Sequence, residues 1–141
     1  MENNLLKIAK DYLAQGISVV PSYRDSKRPI GNWTNYQENR AAEWEVRKWF
    51  KPENDYNIGF ITGSISGFFV IDVDAGTPLD KLTSYYPLPE TATVETGGGG
   101  RHFFYKYPKD RDIGTFKRIF GDTSPFKVDI RGKGGFVVGP P

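Results

Sequence analysis

The chain of 141 residues carries 19 Lys+Arg against 17 Asp+Glu, a net charge of +2, with 38% hydrophobic and 15% aromatic residues. That supplies one core and one domain, while zero cysteines and a single histidine exclude a disulfide framework and a cysteine-ligated zinc site. The opening MENNLLKIAKDYL has no long apolar run, which argues against a secretory leader or a membrane span there and makes a cytoplasmic protein the expectation.

Asn3 or Asn4 can cap a first helix, because Leu5, Ile8, Ala9, Tyr12 and Leu13 recur at helical spacing and Gly16 is placed to end it. A strand follows at ISVVP. Residues 22–40 are polar and basic, with Pro29 and Gly31, and read as a long loop. Ala42, Val46, Trp49 and Phe50 mark one face of a second helix, stopped by Pro52. NIGFITG and GFFVIDVD read as two strands joined by the turn GSISG. Thr77 and Pro78 suit the N-cap and first position of a short helix reaching about Tyr85. The strands TATVET and RHFFYKY are separated by Gly97 to Gly100, and a polar excursion from Pro108 to Pro125 leads to the strands FKVDIRG and GFVVGPP. Two or three helices with six or seven strands predict an α+β domain with a mainly antiparallel sheet.

The charges are unevenly spread. Residues 101–133 hold 9 Lys+Arg against 4 Asp, a local +5, whereas the rest holds 10 against 13. That asymmetry suits a polyanionic partner, although a solvated face of mixed charge would look the same.

Three short stretches carry chemistry. In VIDVDAG, strand alternation projects Asp72 and Asp74 to one side and Ile71 and Val73 to the other. Like charges so close call for a cation between them, and a hard divalent ion with oxygen ligands suits the pair; a solvated strand end or a turn aspartate is the plainer alternative. In TGGGGRHFFYKY, the glycines let backbone approach a ligand, with His102 and Phe104 on one face and Arg101 and Phe103 on the other. In VDIRGKGG, Asp129 and Arg131 share a face, a carboxylate beside a guanidinium able to grip phosphate. Each stretch alone has a purely structural explanation, but the ordered set is a much less common coincidence.

VIDVDAG, then GGGRHFFY, then VDIRGKGGFVVGPP resembles the three motifs of the archaeo-eukaryotic primase superfamily, most closely its bifunctional primase-polymerase branch of phages, plasmids and integrated elements. LAQGISVVP, SKRPIGNW and NIGFITGSISGFFVIDVD extend the similarity over nearly the whole chain. The resemblance implies an RRM-like catalytic half flanked by helices and a DNA-dependent nucleotidyltransferase that joins nucleoside triphosphates on a single-stranded DNA template. It implies two divalent ions, Mg²⁺ or Mn²⁺, held by Asp72, Asp74 and Asp129, and triphosphate contacts from His102, Arg131, Gly100 and Arg101, with Lys27 and Arg28 from the KRP stretch. The family's second motif often has a serine two positions before the histidine; here that position is Gly100, whose backbone amide would have to replace the hydroxyl.

Lys117 and Arg118, with Phe116 and Phe120, are candidates for template phosphate contacts and base stacking. Since the family's domain normally continues beyond the third motif, residues 1–141 are expected to be the amino-terminal part of a larger replication protein, with a helicase in the same or a neighbouring chain. The other readings are a non-catalytic nucleotide- or single-stranded-DNA-binding module of a replication initiator, and a metal-dependent phosphodiesterase.

Overall fold

A computed structural model describes residues 3–139; Pro140 and Pro141, assigned above to the last strand, lie outside the described residues. The elements run α1 (Asn4–Ala14), β1 (Ser18–Tyr23), α2 (Glu43–Trp49), β2 (Tyr56–Ile61), β3 (Phe68–Val73), α3 (Leu79–Tyr85), β4 (Thr93–Glu95), β5 (Arg101–Lys106), β6 (Val128–Arg131) and β7 (Phe136–Val138). The expected α+β class with antiparallel pairing is what the chain adopts, but the strands divide into two sheets, β1-β2-β7 and β4-β5-β3-β6.

Local chemistry sets the helix ends. Asn3 accepts a hydrogen bond from the Leu6 amide at 2.8 Å and donates through its side chain to the Phe50 carbonyl at 2.9 Å, so one residue starts α1 and ties it to α2. Gly16 follows α1 with φ +89°, a conformation that favours glycine. Thr77 does not cap α3, which begins after Pro78. Its hydroxyl instead accepts from the Lys127 amide at 3.1 Å, fastening the segment after β3 to the start of β6.

Two apolar clusters form, one on each face of the four-stranded sheet. Val70, Phe68 and Phe104 pack with α1, α2 and the three-stranded sheet through Val19, Val46, Phe50, Ile58 and Phe60. Ile71, Val73 and Phe103 face the other way, against Leu79 and Leu82 of α3 and against Phe120 and Phe126.

The strands β2 and β3, adjacent in sequence, lie in different sheets. The chain crosses between sheets at 62–67 and again at 132–135, and the two crossings touch. The buried Thr62 hydroxyl donates to the Gly132 carbonyl at 2.6 Å, and the Thr62 amide to the Gly135 carbonyl at 3.1 Å. A Cβ on Gly132 would lie 2.1 Å from the Ile113 carbonyl oxygen, and one on Gly135 would lie 2.5 Å from the Thr62 hydroxyl. Glycine is therefore required in RGKGG by the close approach of backbone at Gly132 and of the Thr62 hydroxyl at Gly135.

Candidate active site

Register brings the three sequence stretches into one row. His102 of β5 and Asp129 of β6 are the cross-strand partners of Asp72 on either side of β3. Directly opposed residues share a face and sit within contact range, so His102, Asp72 and Asp129 form a line across the sheet. All three are buried. The His102 Nε2 lies 3.4 Å from Asp72 Oδ1, and the Arg131 guanidinium lies 3.5 Å from Asp72 and 3.1 Å from Asp129. Burial pushes the Asp72 carboxyl up, but the hydrogen bond and charge of His102, then Arg131 and Lys27, outweigh it and hold the group below the usual carboxylate range.

Asp74 lies one residue beyond β3, with its amide bonded to the Lys127 carbonyl at 2.9 Å. Asp72 and Asp74 line one small pocket of about 240 Å³ with Lys27, Thr96, Gly98 and Gly100. Asp74 is held at 2.8 Å by Arg118. Arg118 has φ +49°, the only non-glycine positive φ among the described residues, and its backbone amide also donates to Asp129 Oδ1 at 2.7 Å. This arginine, expected on a template path, is turned into the carboxylates.

Other expected site residues are distributed differently from the sequence reading. Arg101 lies on the face opposite His102, paired with Glu95 at 3.5 Å, and the structure does not bring it to the row. The Arg28 guanidinium lies 5.7 Å from the centre of the Tyr23 ring and does not line the cleft, whereas Lys27 does. Gly100 is closed to any side chain, since a Cβ would lie 2.6 Å from the Val73 carbonyl oxygen, and its amide is committed to the Thr96 hydroxyl at 3.0 Å. That amide is not free to take over the hydroxyl contact assigned to it; Thr96, which also lines the cleft, retains an O–H for donation.

Within the excursion, Phe116 pairs with Ile130 beside β6 and so lies on the α3 side of the sheet, 58% exposed. Phe120 is half-buried against Tyr86 and Phe126 and is core, contrary to its expected exposure. Lys117 lines the cleft.

Asp72, His102 and Arg131 line a cleft of about 780 Å³ between the two sheets, while Asp129 lies behind them and does not line it. Trp33 and Phe136, which the sequence reading did not single out as site residues, also line it. Both lie in stretches quoted above, SKRPIGNW and GFVVGPP, but nothing local in either shows that the two rings meet at the cleft.

Donor chemistry decides which residues could hold a metal. A hard divalent cation takes oxygen ligands, and between Asp72 and Asp129 a cation, the Arg131 guanidinium, already stands. Among the described residues no three acidic or histidine side chains converge on one point. Asp74 is drawn to Arg118, and Asp129 divides its oxygens between the Arg118 amide and Arg131. The carboxylates are the right donor type for a divalent ion, but in this arrangement Arg131 and Arg118 stand where such an ion would sit. No helix among the described residues is long and apolar enough to cross a membrane.

The family model described as bifunctional DNA primase/polymerase, N-terminal, matches residues 9–141. No curated protein matches the chain.

Proposed function

The chain belongs to the bifunctional DNA primase/polymerase family, and from that premise we propose that its cleft binds a nucleoside triphosphate and joins it to a strand end on a single-stranded DNA template. The observation that carries this is that Asp72 and His102, with Arg131 and Lys27 beside them, line a cleft of nucleotide size, and that Asp129 is the cross-strand partner of Asp72. Replication of a mobile element is the setting that the motif resemblance suggests.

In this reading Asp72, Asp74 and Asp129 would hold two divalent ions, Mg²⁺ or Mn²⁺, which would have to displace Arg131 and Arg118 from these carboxylates. Such an ion acidifies an attacking hydroxyl and neutralises charge developing on phosphate oxygens. The chain's own part is placement. Arg131 and Lys27 counter the charge of the triphosphate, and the His102 ring, fixed by Asp72, helps to position it. The Thr96 hydroxyl supplies a neutral donor at the mouth of the small pocket. In-line transfer between phosphates depends on such positioning more than on covalent help.

Primer extension on a primed single-stranded template with each divalent ion tests the proposal. Extension by the wild-type chain that falls at least about 100-fold in Asp72→Asn, with template binding kept, supports it. Metal-dependent shortening of a labelled strand without nucleotides would indicate a phosphodiesterase. Nucleotide and template binding without either reaction would indicate the non-catalytic module.

A further inference from the structure

The cleft has two unlike walls. One carries Asp72, His102 and Arg131 of the four-stranded sheet; the other, formed by the three-stranded sheet and the loop after β1, carries the rings of Trp33 and Phe136 as well as Lys27. The reaction proposed above makes no use of the two rings.

Its two rings are nevertheless specifically placed. Trp33 and Phe136 have centroids 6.2 Å apart with planes inclined at 55°. The Phe136 ring leans away from its register partner Ile61 and over Gly59, where a Cβ would come within 2.2 Å of it. Only glycine beneath allows the ring this position. Both rings stay part-exposed, although full burial is what an aromatic ring gains most from. A seated aromatic pair left open to a cleft is a stacking surface.

Resting on the reading of the charged wall as a triphosphate site, we propose that Trp33 and Phe136 form the nucleoside subsite, taking the base and sugar of the nucleotide whose phosphates meet His102, Arg131 and Lys27. A nucleoside triphosphate has one polyanionic end and one aromatic end, and the cleft presents a matching surface for each. Its volume of about 780 Å³ lies in the range of small-molecule sites. Phe136 offers no hydrogen-bonding group, so its recognition is by ring face, which every base possesses; the subsite accepts all four bases and leaves base choice to the template.

Equilibrium binding of a nucleoside triphosphate and of inorganic tripolyphosphate to the full chain tests this, because tripolyphosphate has the charges and lacks the nucleoside. Trp33→Ala and Phe136→Leu are each expected to weaken the nucleotide about 10-fold, the scale of one lost stack, and to leave tripolyphosphate unchanged. Trp33→Phe, which keeps a ring, stays within about threefold of wild type. Equal losses for both ligands, or unchanged nucleotide affinity, would overturn the subsite. So would a loss confined to a single-stranded oligonucleotide, which assigns the rings to the template. A wild-type chain that binds neither ligand would remove the triphosphate reading itself, and the subsite with it.

Discussion

Asp72 and Asp129 face each other across adjacent antiparallel strands, and the guanidinium of Arg131 lies within 3.5 Å of one and 3.1 Å of the other. Two buried carboxylates so placed repel, and the shared arginine offsets that repulsion. Arg131→Met is expected to cost on the order of 3 kcal/mol in denaturant unfolding at pH 7. Because a ligand of the folded state stabilises it, millimolar Mg²⁺ should recover part of that loss in the variant. A variant as stable as wild type would mean that the arginine does not neutralise the pair.

Arg118 competes with any cation for Asp74. Its ion pair is one-third exposed and worth about 0.5 kcal/mol at such a position. Arg118→Gly should offset that loss, because φ +49° suits glycine better than arginine. Divalent-ion affinity, measured by titration calorimetry, should then rise severalfold as Asp74 is released. Unchanged affinity would show that Asp74 takes no part in binding the ion.

Titration of Asp72 gives a pH signature. Its folded-state pKa is lowered from 3.8, so it contributes stability at neutral pH that is lost as pH falls below the ordinary value and through the folded one. Urea midpoints for wild type should drop more steeply between pH 5 and 3 than those of Asp72→Asn, which lacks this term. Parallel profiles would contradict the assignment.

Neighbours in sequence should behave differently toward a template. Lys117 lines the cleft, whereas Phe116 lies on the α3 side of the sheet with Ile130. Lys117→Ala is therefore expected to weaken oligonucleotide binding and lower the salt slope by about 1, by fluorescence anisotropy. Phe116→Ala should change neither. The reverse pattern would place the strand over the α3 face.

Much of this was readable from spacing. The α+β class, the helices and the opposite facing of Asp72 and Ile71 follow from periodicity, which records which side of an element is buried. Division into two sheets does not, since β2 finds β7 only after the intervening strands are placed, and no local pattern encodes such a partner. The meeting of Trp33 with Phe136 is likewise a tertiary contact between distant stretches, and Phe120 lies in a polar segment that folds back onto Phe126. Arg118 shows a further limit. Basic composition suggested a polyanion, yet a left-handed backbone turn, invisible in the residue type, aims it at aspartates.

The pairing of Gly59 with Val138 has a consequence for how the molecule is made. A ribosome delivers β1 and β2 early, but the third strand of their sheet emerges after every strand of the other one. Until then the outer side of β2 offers unpaired amides and carbonyls, which invite pairing with another chain. Such a distant closure is also slow. The wall that bears Phe136 therefore rests on the pairing of widest sequence separation in that sheet.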